Sequence, residues 1–309
     1  MVDSEERWTD GIARTSERRS TLSGVSPQGQ SRADRPEPAP DGPRGEFAEV
    51  SRRATGAQET ARANRGWWDE QAADYYGEHG AFLGDVDLCW GPEGLREATA
   101  RLLGDCTGQD VLEIGGGAGQ GGRFLASEGA RVCSTDLSEQ MVRVGAAINA
   151  RTGVTLPLLT CDAQALPFAD ASFDVVFTAY GALPFVADSA GVLREAARVL
   201  RPGGRLVFST THPIRWAFPD VPGEAGLTAT SSYFDRSPYV ELDGAGRVLY
   251  AEHHRTIGDR VREIVAAGLR LVDLVEPPWP DDHEQEWGGW SPLRGRLLPG
   301  TAVFCCVKD

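Results

Sequence analysis

Lysine is nearly absent from this 309-residue chain. Lys308 is the only one among 31 basic residues, which face 45 acids and leave a formal net charge of −14. A surface that tracks a phosphate backbone needs clustered Lys and Arg. Here the arginines are scattered among acids, which argues against nucleic acid as a partner. Long apolar runs are missing too: no stretch of about 18 apolar residues occurs, so no membrane span is expected. The N-terminal Met-Val-Asp-Ser-Glu-Glu-Arg has no apolar secretory core. The six cysteines, at 89, 106, 133, 161, 305 and 306, never fall into Cys-x-x-Cys spacing. Several sit in apolar, strand-like runs, as buried thiols do. Together these features predict a reduced, cytoplasmic protein with neither a disulfide framework nor a zinc site.

What the chain does have is a glycine turn behind a buried strand. Residues 111–119 read Val-Leu-Glu-Ile-Gly-Gly-Gly-Ala-Gly, and Asp136 closes a second apolar run 17 residues beyond Gly119. Gly115, Gly117 and Gly119 leave no side chains where a ligand must touch backbone. Glu113 puts a carboxylate at the strand's end, where a cationic amine can sit. Asp136, at the tip of the next strand, is placed to grip two ribose hydroxyls. The pair points to a nucleoside cofactor with a positive charge and no pyrophosphate. Gly117-Ala-Gly119-Gln-Gly-Gly122 also fits the dinucleotide fingerprint G-x-G-x-x-G. That fingerprint wants its first glycine close behind the strand, which is Gly115. Counted from there, its third glycine falls on Gln120, and the pattern breaks.

The E-x-G-x-G-x-G reading fits without a gap. At this point the chain resembles the class I S-adenosylmethionine-dependent methyltransferases, in particular the small-molecule group related to ubiquinone and menaquinone methyltransferases. Further segments occur in family order over roughly residues 65–309. Arg131-Val-Cys-Ser-Thr-Asp136 looks like the second strand with its ribose-binding acid. Cys161-Asp162-Ala163-Gln164 resembles the adenine-contacting segment, Ser172-Phe-Asp174-Val-Val-Phe177 the fourth strand, and Leu200-Arg-Pro202-Gly203-Gly204 the turn into the fifth. The resemblance implies S-adenosyl-L-methionine as cofactor. It implies Glu113 at the donor's ammonium group, Leu137 against adenine, and Asp162 and Ala163 on the adenine edge. It fixes the cofactor far better than the acceptor. Two alternatives stay open: a non-catalytic relative that binds the cofactor, and an NAD-dependent oxidoreductase. The Asn-Pro-Pro-Tyr segment of amino-methylating nucleic-acid enzymes and the Pro-Cys nucleophile of cytosine C5 enzymes are both missing.

The pattern predicts a tail and a body. Residues 1–60 are rich in Ser, Pro, Gly, Arg and Glu, with few large apolar residues. Such a segment cannot bury enough surface to offset the entropy of ordering, so it is predicted to be a disordered extension. Its eleven acids nearly cancel its nine arginines, which leaves about −12 of the −14 in the body. Residues 61–309 predict an α/β methyltransferase domain: a Rossmann-like, seven-stranded, mainly parallel sheet with helices on both faces. The family resemblance makes the last strand antiparallel. N-terminal helices precede the sheet, one around 67–76 and one over 93–103. Strands are expected at 111–114, 131–135, 154–159, 173–179, 205–210, 269–275 and 301–307, with helices near 120–128, 138–150, 188–200 and 257–267. A lid insertion is expected over about 211–250, holding a hairpin around Asp243-Gly-Ala-Gly246. In this scheme Gly115, Asp136, Asp162 and Tyr180 all lie at carboxyl ends of strands, where ligands of such sheets bind.

Methyl transfer from a sulfonium needs mainly alignment and exclusion of water. A base is needed only if the acceptor must lose a proton. His212, after the fifth strand, is the candidate base, or else it lines the pocket or caps the turn. Tyr75 and Tyr76 each follow an Ala-x-x-Tyr spacing that in related enzymes covers the cofactor's methionine end. Tyr180, Trp216, Tyr233, Phe234 and His254 are expected around the acceptor, although the lid aromatics could equally pack the lid onto the body. His253 and His254, being adjacent, point to opposite faces and do not share a metal easily. Asp281-Asp282-His283-Glu284 is read as a solvated acidic loop, not a metal site. The expected partner is a small-molecule acceptor, and the expected state is a monomer or a homodimer.

Overall fold

The computed structural model describes residues 47–309. In chain order they form β1 (Phe47–Arg52), α1 (Ala57–Leu83), α2 (Glu97–Ala100), β2 (Asp110–Ile114), α3 (Gln120–Ser127), β3 (Arg131–Asp136), α4 (Glu139–Thr152), β4 (Leu158–Thr160) and β5 (Phe173–Ala179). Then come α5 (Ser189–Val199), β6 (Leu200–Thr211), β7 (Tyr239–Asp243), β8 (Val248–Glu252), α6 (Ile257–Ala266), β9 (Leu269–Val275), α7 (Pro292–Gly295) and β10 (Thr301–Lys308).

Seven strands build one sheet in the order β4-β3-β2-β5-β6-β10-β9. All neighbours run parallel except β10, which is antiparallel to both β6 and β9. The expected class and the antiparallel last strand are what the structure contains. Alternation along each strand feeds two cores. Leu112 and Ile114 of β2, Val176 of β5 and Phe208 of β6 cluster with Leu193 of α5 and Ile264 of α6. Val111, Val175, Phe177 and Val207 pack on the other face with Leu125 of α3 and Trp90. Burial on both faces is why these strands read as nearly continuous apolar runs.

The helices start where their sequences supply caps. Ser138 accepts from the Met141 N–H at the head of α4, Asp188 accepts from Gly191 at α5, and Thr256 and Asp259 form a reciprocal capping box at α6. Gly153, at φ +72°, ends α4.

A second, three-stranded antiparallel sheet has the order β1-β7-β8. Its hairpin is the one expected in the insertion, and β8 packs on α1. Its third strand is a surprise, because β1 and the start of α1 fall inside the stretch 1–60 read as a tail. Residues 47–60 hold regular structure, while 1–46 lie outside the described residues. The strand left no sequence signal because its apolar side chains, Phe47 and Val50, are exposed. It is held by backbone pairing to β7, register Val50↔Glu241 and Arg52↔Tyr239.

Other elements differ in extent: α1 is longer than the expected 67–76, and β6 starts at Leu200, inside the expected turn. The helix expected over 93–103 shrinks to the single turn of α2, bounded by Gly94 and Arg101 in left-handed conformation. β4 begins only at Leu158, because Pro157 has no N–H to give the ladder.

Candidate cofactor and acceptor site

A cavity of about 330 Å³ opens at the carboxyl ends of β2, β3 and β5, beneath α1 and the hairpin. Gly115, Gly117, Asp136, Leu137, Asp162, Ala163 and Tyr180 all line it, as do Glu113, Tyr75 and Tyr76. The strand-end logic of parallel sheets thus brings these residues of distant segments together.

The turn after β2 is shaped by contacts that exclude side chains. Gly115 has φ +61°, and a Cβ there would stand 2.7 Å from the Ala182 nitrogen. Gly116, not singled out from sequence, would drive a Cβ to 2.6 Å from the Glu113 carboxyl group. Gly119 does not line the cavity. It is the N-cap of α3, at φ +75°. Asp136 reaches back to this turn: its Oδ2 accepts from the Gly117 N–H at 2.8 Å and its Oδ1 from the Ser138 N–H at 2.8 Å. Burial holds its carboxyl above the usual range.

Glu113 is 4% exposed and turned under the glycines. Its Oε2 accepts from Ser134 Oγ at 2.5 Å and from the Gly122 N–H at 3.1 Å. Burial pushes its carboxyl up to about 7. A carboxyl raised above its unfolded value of 4.5 favours folding while protonated, and that advantage is lost as pH rises from about 4.5 to 7. Stability without ligand should therefore fall across this window, Glu113 supplying at most about 3 kcal/mol of the change. Glu252, also pushed up to about 7 by burial, acts in the same window. Denaturant midpoints against pH should flatten in Glu113→Gln. An unchanged slope in that variant would mean Glu113 is ionised throughout.

Arg123 was not singled out from sequence. It is 0% exposed. Its Nε donates to the Asp85 carbonyl at 2.7 Å, Nη2 to the Ala118 carbonyl at 2.7 Å and Nη1 to Asn149 Oδ1 at 3.1 Å. One guanidinium thus ties the glycine turn to α4 and to the segment after α1. Asp69 of α1 makes the complementary link, accepting from Ser138 Oγ at 2.6 Å and the Gln140 N–H at 3.2 Å. A carboxylate at the head of α4 also suits the helix dipole. Tyr76 adds a latch, donating to Asp85 and receiving Arg151 Nη2 at 2.5 Å.

The remaining sequence candidates do not line the cavity. His212 is buried as the cap of the turn 213–217. Its Nδ1 accepts from the Ile214 N–H at 3.1 Å. Its Nε2 lies 2.8 Å from Glu276 without the alignment of a hydrogen bond. Burial lowers its pKa, although Glu276 pulls the other way. Of the three roles open to it, the structure supports the cap. His212→Ala should lower thermal stability by about 1 kcal/mol and leave S-adenosylhomocysteine affinity unchanged by calorimetry. A large affinity loss would return it to the site.

Trp216, Tyr233 and His254 form a separate cluster that packs the insertion. The Trp216 and His254 rings are 5.4 Å apart, His254 Nε2 meets the Tyr233 carbonyl at 2.7 Å, and Tyr233 Oη accepts from the Ile257 N–H at 2.9 Å. Phe234 is 70% exposed. His253 bonds Thr60 Oγ1 at 3.1 Å and is pushed down to about 4 by burial.

In their place the cavity takes Trp287 and Trp290 from the long loop after β9, and Trp68, Phe185, Tyr250 and Glu252 from α1, the turn after β5 and β8. Trp287 stacks on His79 at 3.9 Å. The sequence carried a faint signal of this in the run of tryptophans within 277–299, but nothing in it said which would face inward.

A parallel sheet with this glycine turn, an acid behind it and a second acid at the next strand end defines a nucleoside-cofactor site of the methyltransferase type. Comparison with known proteins bears this out. A family model described as "Methyltransferase domain" matches residues 112–208. A demethylmenaquinone methyltransferase of Beutenbergia cavernae is 36% identical over 248 residues, covering 77% of this chain and 87% of the relative. Another, from Tropheryma whipplei, is 38% identical over 126 residues, and there the chain spans about half of the relative's length, 51%. Among solved structures, an S-adenosylmethionine-dependent methyltransferase from Mesorhizobium loti superposes with a TM-score of 0.55 at 27% identity, covering 71% of this chain and 100% of that one. The chain belongs to the class I S-adenosylmethionine-dependent methyltransferase family. The residues present fit that cofactor: a turn whose glycines are held open, and carboxylates at the ends of adjacent strands.

Proposed function

We propose that this chain moves the methyl group of S-adenosylmethionine by in-line displacement onto a small, flat, aromatic acceptor of the quinol kind. The observation that carries the proposal is the charge inventory of the cavity. Among the described residues that line it, Asp87, Glu113, Asp136, Asp162 and Glu252 carry carboxyl groups, and none is Arg, Lys or His. Such a lining, with no cation to pair an incoming anion, favours a cationic donor and an acceptor that arrives neutral. The aromatic walls suit a planar ring. The name of the Beutenbergia cavernae relative supports a quinone-type substrate.

When bound, the cofactor supplies an activated methyl group. The chain's part is to bind, align and keep out water. Asp136 would hold the ribose hydroxyls, Leu137 and Ala163 would flank adenine, and Asp162 would read its amino edge. Glu113, already committed to Ser134 and Gly122, would set the shape of the turn and lend its charge to the donor's ammonium group. Tyr75 and Trp68, whose rings meet edge-on at 5.3 Å, would close the methionine end. We further propose that the protein works in the cytoplasm as a monomer or homodimer, with its cysteines free.

The test has two stages. Calorimetric titration with S-adenosylhomocysteine, with NAD as control, should give micromolar binding of the first and none of the second. Incubation with labelled S-adenosylmethionine and a 2-unsubstituted naphthohydroquinone should then give a product heavier by one methylene. Binding without product from neutral aromatic acceptors would reduce the chain to a non-catalytic binder.

A further inference from the structure

Tyr180 holds a backbone conformation that tyrosine rarely takes, φ +57°, and Ala182 also has a positive φ, +49°. Such strain persists where the surroundings impose it, and it gathers at working sites. Here the imposing neighbour is the cofactor turn itself. A Cβ on Gly181 would run into the Gly115 carbonyl, so the two turns lie backbone to backbone. The result is a phenol on the cavity wall immediately beside the glycine turn, with Trp290 meeting it edge-on at 6.0 Å.

The phenol is the head of a chain of hydroxyls. Tyr180 Oη lies 2.5 Å from Thr301 Oγ1, and Thr301 Oγ1 donates to Glu93 Oε2 at 2.5 Å. Thr301 has one proton to give and gives it to Glu93, so Tyr180 is the donor to Thr301. Among the described residues the Gly300 carbonyl, at 3.4 Å, is the phenol's other acceptor. Among the described residues no group then donates to the phenol oxygen, whose lone pairs are uncommitted.

Glu93, at the far end, is 2% exposed, and its Oε1 has no partner. The charged or titratable groups around it are Arg215, Tyr180 and Cys89. Burial holds its carboxyl above the usual range against the pull of Arg215, whereas Tyr180 is raised well above the usual phenol range. A proton entering this chain therefore comes to rest on Glu93.

We propose that Tyr180, Thr301 and Glu93 form a proton relay that takes the hydroxyl proton of the quinol-type methyl acceptor. The inference rests on the methyl-transfer reading of the cavity and adds the residues that take the acceptor's proton. Tyr180 is the residue that touches the acceptor, and Thr301 and Glu93 act through it. The acceptor's O–H bond breaks and its proton bonds to Tyr180 Oη. Tyr180's own proton passes to Thr301 Oγ1, and that of Thr301 to Glu93 Oε2. The electron pair stays on the acceptor, which becomes the nucleophile. Nothing is oxidised or reduced, and one proton leaves the acceptor for each methyl group it gains.

The test uses the full chain saturated with sinefungin, whose protonated amine stands where the sulfonium methyl would be, and 4-nitrophenol, whose anion absorbs in the visible. Below the pH at which free nitrophenol ionises, the wild-type complex should bind it as the anion. Glu93→Gln and Thr301→Val should bind it as the neutral phenol, the anion signal falling by about ten-fold or more. Sinefungin affinity in each variant reports that the fold is intact. Neutral nitrophenol in the wild type, no nitrophenol binding, or an anion signal that survives both substitutions but is lost in Glu252→Gln would each overturn the relay and leave the cofactor reading standing. Loss of sinefungin binding by the wild type would overturn both.

Discussion

Asp136→Ala should weaken S-adenosylhomocysteine binding by about ten- to hundred-fold. A hydrogen bond to a charged acceptor is worth about 1.5–3 kcal/mol, and this carboxylate is the only acid at the tip of β3. Its present partners are the Gly117 N–H, on the cavity wall, and the N–H of Ser138, which is buried. Removing it leaves the Gly117 donor facing the cavity, where water can reach it, and only the Ser138 donor unpaired in the interior, so the folding penalty should be smaller than the binding penalty. The two are separable: calorimetry reads the first and thermal unfolding the second. Full affinity in the variant would remove Asp136 from the cofactor site. Equal losses in both measurements would make it a structural brace.

Arg123→Met should lower the stability of the whole fold by about 3–5 kcal/mol. Methionine preserves much of the volume but satisfies none of the acceptors. The Asp85 and Ala118 carbonyls and Asn149 Oδ1 would lose their donor in the interior. A buried acceptor left without a partner costs about 1–3 kcal/mol. Because Ala118 belongs to the glycine turn, S-adenosylhomocysteine affinity should fall as well. A denaturant midpoint equivalent to less than about 1 kcal/mol of loss would mean that water replaces the guanidinium.

Sequence could find Asp136 and could not find Arg123, and the difference is physical. Asp136 stands at a strand end fixed by a run of apolar residues, and its spacing from the glycine turn is set by one helix crossing between parallel strands. Arg123 sits on the inner face of α3, where an apolar residue is expected, and besides the turn just before it its acceptors come from two distant segments. The sheet was legible because strands buried on both faces are apolar and are punctuated by glycine and proline. β1 was not, because an edge strand held by backbone pairing leaves no apolar period. The acceptor wall escapes sequence for a related reason. Trp216, Tyr233 and Phe234 lie in the insertion, yet which aromatic faces inward depends on hairpin register and on the path of the loop 277–299. Tyr180 stands at a strand end, and that placement survives folding unchanged.

The three-stranded sheet that joins β1 to the hairpin has a kinetic consequence. Beneath it lies a small cluster of Ala63, Val240, Leu242, Val248 and Ala251, with Tyr250 against Trp67 and Phe185, and Asn64 pins it to α1 by both donating to and accepting from the Ala251 backbone. A layer with so little apolar support opens at lower free energy than the central sheet. Since Tyr250 and Glu252 on its last strand form part of the cavity wall, each opening also unroofs the site. The dwell time of the spent cofactor should then follow how often this layer lifts, with turnover limited by release and not by chemistry. Amide exchange in β7 and β8 should outpace that in β2 and slow when S-adenosylhomocysteine is bound; equal rates in the two sheets would place the slow step elsewhere.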